Sequence, residues 1–218
     1  MAQAEVCKTF HAGSIPAAAS LNFLQSGAET FTVEDLFALV EMVASSWLAA
    51  AERDWSVPAT TVEWSCLATA DHAVDCVYAP AMFLASRRVD AYPDIGLNVM
   101  LAAAATPARL VESLRIAAQL LSGVVHDAAE DVRAVIFRRP SMLVGEPRDF
   151  VPRAAVELVL HAKDVAGGLA VEFEPPADLC RRLREHTRTW PMWGVYWKPL
   201  GDSDDPWGDL LAASGRAR

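Results

Sequence analysis

Apolar residues recur at helical spacing in four stretches of the chain, and each stretch opens on a residue suited to start a helix. From Thr32, a candidate N-cap with Asp35 as its capping-box partner, Leu36, Phe37, Leu39, Val40 and Val43 form one stripe. This predicts a first helix ending near Arg53. After the loop Asp54-Trp55-Ser56-Val57-Pro58-Ala59-Thr60-Thr61, a second helix is expected from about Ser65 to Arg87, with Leu67, Ala70, Val74, Val77, Met82 and Leu84 on its buried side. Pro107 suits the first turn of a third helix, carrying Leu110, Leu114, Ala117, Leu120, Leu121 and Val124 and fraying near His126. Pro152 opens a fourth from about Arg153 to Val165, which the pair Gly167-Gly168 is expected to stop.

Between these stretches the pattern is shorter. Leu97 to Ala105 predicts a brief helix, and the β-branched run from Val132 to Phe137 a short strand, followed by a loop with Pro140, Gly145 and Pro147. Four long helices with crossover-length connections describe a mainly all-α protein, a four-helix bundle. Residues 1–31 lack a clean period and contain Gly13, Pro16 and Gly27, which predicts an irregular N-terminal extension. The bundle then occupies 32–170, and 171–218 form a Trp-rich C-terminal tail packed on it.

Composition narrows the function classes. The chain of 218 residues is 53% hydrophobic, with a mean hydropathy of +0.19, yet no apolar run approaches the roughly 18 residues of a membrane helix. Gly13, Ser14 and Pro16 interrupt any signal-peptide core, so a soluble, cytoplasmic protein without a membrane partner is expected. A net charge of −9, with basic residues scattered in pairs, speaks against nucleic acid as a partner. The cysteines, at 7, 66, 76 and 180, form no CxxC pair and read as reduced, buried apolar fillers.

The candidate chemistry lies on the second and fourth helices. Glu157 and His161 are four apart, which puts their side chains on one helix face, their Cβ atoms about 5–6 Å apart and within reach of one ion. Many such pairs are merely solvated. Here Val156, Leu158, Val159 and Leu160 surround them, and a carboxylate without a partner is costly to bury. His72, between Ala70 and Val74, is the natural third ligand, because bundles build metal sites from inward residues on facing helices; a core histidine bonded to a carbonyl is the plainer alternative. Three protein ligands leave a catalytic position open. Two histidines and a carboxylate suit zinc, iron, manganese or nickel.

The runs Asp54-Trp55-Ser56-Val57-Pro58, Glu63-Trp64-Ser65-Cys66 and Ala70-Asp71-His72, with Val156-Glu157-Leu158-Val159-Leu160-His161-Ala162-Lys163-Asp164-Val165-Ala166, resemble the N-terminal domain of mycothiol-dependent maleylpyruvate isomerases, within the DinB/YfiT-like superfamily of metalloenzymes. The ending Asp205-Pro206-Trp207-Gly208-Asp209-Leu210-Leu211-Ala212-Ala213-Ser214-Gly215-Arg216 resembles that of related single-domain members. The resemblance implies a four-helix bundle holding a divalent metal, typically zinc, through His72, Glu157 and His161, and it offers Asp164 as an acid that orients the His161 imidazole. It further implies a small thiol, mycothiol or similar, as cosubstrate for S-transfer to, or isomerisation of, an electrophilic small molecule. The likeness does not extend to the isomerases' separate C-terminal domain, so maleylpyruvate isomerisation itself is not expected.

Two alternatives remain beside thiol transfer: thiol-independent metal catalysis of hydrolysis, elimination or rearrangement, and a non-catalytic bundle that binds a metal or small molecule. Trp190, Trp193, Trp197 and Trp207 crowd the last thirty residues. Trp193 and Trp197, with Trp64, are candidates to wall a substrate pocket, although packing of the tail or a homodimer contact explains the crowding equally well. His11, His126 and His186 have no partner pattern and read as surface or capping residues.

Overall fold

The computed structural model describes residues 30–93 and 105–217. The extension expected over the first 31 residues lies almost wholly outside the described residues, as do His11, Cys7 and most of the short helix expected from Leu97.

Helix α1 spans Val33–Ala49, helix α2 Cys66–Ser86, helix α3 Pro107–Asp127 and helix α4 Phe150–Gly168. The capping box at Thr32 is present: its hydroxyl accepts the Asp35 N–H at 3.3 Å, and the Asp35 carboxylate accepts the Thr32 N–H at 3.0 Å. Leu36, Leu39, Val40, Val43, Ala44 and Trp47 are the buried stripe of α1. Helix α1 ends at Ala49, short of Arg53, because the chain turns back and the Trp55 indole donates to the Ala50 carbonyl at 3.0 Å.

The loop between α1 and α2 is tied to the start of α2. Cys66 N–H reaches the Val57 carbonyl at 2.8 Å, Leu67 N–H reaches that of Trp55 at 3.0 Å, and the Ser65 side chain caps the Ala68 N–H at 3.2 Å. These bonds satisfy N–H groups that a helix start leaves unpaired. Helix α2 packs on both α4 and α3, and α1 lies against α3 and α4, enclosing one apolar core. Leu120, expected on the buried side of α3, is 45% exposed. It precedes Leu121 by one residue and so lies about 100° round the helix from the stripe.

The strand expected near Val132 is β1, Ala134–Phe137, with all four residues buried. It pairs antiparallel with β2, Leu143–Gly145, a partner inside what the sequence suggests is only loop. Helix α4 begins two residues before Pro152, which fits in the first turn where its missing N–H costs nothing. The helix then runs through Gly167 and Gly168 instead of stopping before them. A Cβ on Gly168 would lie 2.5 Å from both the Cys66 sulfur and the Pro58 carbonyl oxygen. This glycine is thus needed for close approach of α4 to the start of α2.

The C-terminal segment contains helix α5, Ala177–Thr187, and helix α6, Pro206–Ala213, which pack on each other while α5 also meets α4. Neither was expected from the sequence. Helix α5 is short and polar, with Leu179, Cys180, Leu183 and Thr187 among its buried residues, and α6 has only 8 residues behind the Asp205 cap. None of the described helices is long and apolar enough to cross a membrane.

Candidate metal centre

Helices α2 and α4 bring the His72 and His161 rings together, one edge-on to the other. Their ring centroids are 5.0 Å apart, with the planes at 76°. His161 is buried and His72 half-buried, and the Trp64 ring stands edge-on to His72 at 5.0 Å. Trp64 therefore sits at the site, held there by the Ser65 cap that starts α2.

Cys76 enters the same place. One turn after His72 on α2, its sulfur lies 3.3 Å from His72 Nε2. One ligand atom from each of His72, Cys76 and His161 lies within 4.8 Å of the others, a grouping that could hold a metal ion. The expectation that all the cysteines are fillers is thus corrected for Cys76. Cys66 and Cys180 do fit it: their sulfurs approach main-chain carbonyls of Val165 and Pro175 at 3.7 and 3.9 Å, and burial pushes the Cys180 thiol up to about 12.

Glu157 adjoins the cluster from α4. Its Oε2 is 3.7 Å from His161 Nε2, and its Oε1 accepts from Arg153 Nη1 at 3.0 Å. Burial alone would raise the Glu157 pKa, but the Arg153 guanidinium and the two imidazoles outweigh it and hold the carboxyl below its ordinary value. Glu157 is not a member of the 4.8 Å group.

Behind His161 stands a fully buried carboxylate. Asp164 Oδ2 is 3.4 Å from His161 Nδ1, and Arg216 clamps Asp164 from the far side, with Nε at 2.9 Å from Oδ1 and Nη2 at 2.6 Å from Oδ2. Burial would raise the Asp164 pKa, and the bonds from His161 and Arg216 overcome it, so the group stays ionised. A carboxylate at Nδ1 favours the tautomer whose Nε2 carries the lone pair. Burial, followed by the nearby His161 ring, lowers the His72 pKa to about 4. His72 is therefore neutral at physiological pH, as a metal ligand must be.

These donors fit a divalent ion of borderline softness: two imidazoles and a thiol in one group, a carboxylate beside it, and one imidazole braced by a second carboxylate. The signal for Cys76 was in the sequence, since His72-x-x-x-Cys76 repeats on α2 the four-residue spacing that singled out Glu157 and His161 on α4.

The remaining candidates lie in other contacts. The ring of Trp193 meets that of Trp197 at 5.0 Å, and its indole N–H donates to Thr187 Oγ1 at 3.3 Å, contacts that pack the C-terminal segment on α5. His126 is exposed in the last turn of α3, as expected. His186 is not a surface residue: its side chain is 8% exposed and its Nε2 lies 2.9 Å from Asp149 Oδ1, joining α5 to the turn that precedes α4. No protein-family profile, no curated protein and no solved structure matches the chain.

Proposed function

We propose that this protein is a metal-dependent enzyme that activates a small thiol for S-transfer to, or thiol-assisted isomerisation of, an electrophilic small molecule. The observation that carries the reading is the convergence of His72, Cys76 and His161 from two facing helices on one largely buried point. His72 and His161 hold the ion, preferably zinc; the third donor is Glu157, as the resemblance to the mycothiol-dependent isomerases implies, or Cys76, as the geometry offers. The thiol cosubstrate rests on that resemblance alone.

When bound, a divalent ion of this kind lowers the pKa of a thiol beside it and so supplies thiolate at neutral pH. The chain's own residues prepare the place. His72 stays neutral and keeps its lone pair available. Arg216 and Asp164 fix the His161 ring so that Nε2 faces the centre. Glu157, ionised and 3.7 Å from that nitrogen, accepts the proton a thiol sheds and passes it to solvent. Trp64 supplies an apolar edge against which a small substrate can rest.

Metal analysis of the purified full chain, followed by calorimetric titration of small thiols into metal-loaded and metal-stripped protein, tests the proposal. About one ion per chain, and thiol binding only to the loaded form, are the expected results. Full turnover of an electrophile without any thiol would overturn the thiol step and leave metal-only catalysis.

A further inference from the structure

We infer that Cys76 is itself a ligand of the ion and that Glu157 is not, so that the centre is a two-histidine, one-cysteine set built mostly on α2. The inference rests on the reading of this cluster as a metal centre and specifies its donors.

Distance is the first ground. Two ligand atoms on one tetrahedral zinc, with bonds of about 2.0 Å to nitrogen and 2.3 Å to sulfur, stand about 3.5 Å apart. The Cys76 sulfur and His72 Nε2 are 3.3 Å apart already. A thiol bonded to a neighbouring imidazole would explain that one contact. It would not explain why a nitrogen of His161, delivered by another helix, lies within 4.8 Å of both.

Charge is the second ground. Glu157 is occupied by Arg153, four residues earlier on the same helix, at 3.0 Å with side chains 14% and 20% exposed. Its charge is thus balanced without an ion. Arg153 in turn lies over the Phe137 ring at 4.5 Å, a contact that helps to hold the guanidinium in place. Drawing Glu157 onto an ion would disturb a formed pair, whereas Cys76, its sulfur already 3.3 Å from His72 Nε2, binds by losing its proton. That proton leaves to solvent as the metal–sulfur bond forms, and the step is balanced with no change of oxidation state.

A thiolate donor also selects the metal. Sulfur ligands favour zinc, cobalt and cuprous copper over magnesium and manganese, which prefer an all-oxygen shell. One position stays open on a tetrahedral ion, as the thiol step requires.

The test uses the full chain, stripped of metal and loaded with cobalt(II). The wild-type protein should show the near-ultraviolet sulfur-to-cobalt charge-transfer absorption, and Cys76→Ser should lose it while Cys66→Ser and Cys180→Ser keep it. Zinc affinity should fall by more than about 100-fold in Cys76→Ser, beyond the range for losing an outer partner, and by less than about 10-fold in Glu157→Gln. Absence of the absorption in wild-type cobalt protein overturns the inference without reference to any variant, as does loss of zinc in Glu157→Gln with retention in Cys76→Ser. Failure of the wild-type chain to take up either ion overturns the metal reading itself.

Discussion

Two buried polar clusters of this molecule differ in how their donors and acceptors balance. In the C-terminal segment, Arg184 Nη1 donates to Asp209 Oδ2 at 2.6 Å and to the Ser203 carbonyl at 2.8 Å, while the Ser203 N–H and hydroxyl return to the Asp209 carboxylate at 2.8 and 2.9 Å. Donors and acceptors there match one another. Between α2 and α4, by contrast, two imidazoles and a thiol bring lone pairs to one point, and the guanidinium groups of Arg153 and Arg216 hold the flanking carboxylates of Glu157 and Asp164. A matched cluster is a lock, and a surplus of converging lone pairs is a place for a cation.

The largest effect should come from removing an imidazole. His72→Ala and His161→Ala should each leave metal content near zero, measured by elemental analysis of protein purified in parallel with wild type. Full occupancy in both variants would put the two clusters in the same class.

The lock should respond in the opposite currency. Arg184 and Asp209 side chains are 8% and 12% exposed, and Arg184→Ala strands a largely buried carboxylate, which costs about 3–5 kcal/mol. Trp193→Ala, at a residue 8% exposed, should cost a similar roughly 3–5 kcal/mol by opening a cavity. Urea unfolding measures both. Metal affinity of the folded protein should be unchanged in each, and a Trp193→Ala protein with normal stability but impaired substrate use would mark that residue as a pocket wall.

The lock and the metal centre were unequally legible in the sequence. The four long helices announce themselves because each carries several apolar residues at helical spacing behind a recognisable cap, as at Thr32 and Pro107. Helix α5 escaped because its 11 residues include five charged ones and a histidine, and its burial depends on α4 and α6. At the site, His72, Glu157 and His161 stood out by spacing and by their apolar neighbours. Cys76 did not, because a cysteine among alanines and valines looks like filler until a second helix places an imidazole beside it. Arg216 was equally hidden: its partner Asp164 is 52 residues away, and no local spacing reports a contact of that range.

A smaller effect is expected where the metal centre borders its support. Asp164→Asn keeps the shape of the side chain but weakens the grip on His161 Nδ1, so metal affinity should fall by about 10–100-fold, roughly 1.4–2.7 kcal/mol. Competition with a chelator of known affinity measures it, alongside a thermal melt to confirm folding. An unchanged affinity would show that Asp164 serves only as the anchor for Arg216, and would move it from the centre to the locks.

The smallest effect concerns a third ion pair, which ties α5 to the start of α1. Asp35 Oδ2 accepts from Arg182 Nε at 2.9 Å and from the Thr32 N–H at 3.0 Å, so one carboxylate serves both a helix cap and a tether. Burial would raise its pKa, but Arg182 and Thr32 together hold it below the ordinary 3.8. A lowered folded pKa means that the stabilisation is fully present above the unfolded value and is lost as pH falls through the folded value. Asp35→Asn, which cannot ionise, should therefore be less stable than wild type by about 1 kcal/mol at neutral pH. That gap should begin to narrow as the pH falls to about 3.8 and close only once it is below the lower folded value, where the wild-type carboxyl is neutral in both states. Urea midpoints for both proteins, at neutral pH and at the lowest pH where each still folds, give the gap directly. A gap independent of pH would mean that shape and hydrogen bonding at Thr32, and not the charge on Asp35, fasten the C-terminal segment to the bundle.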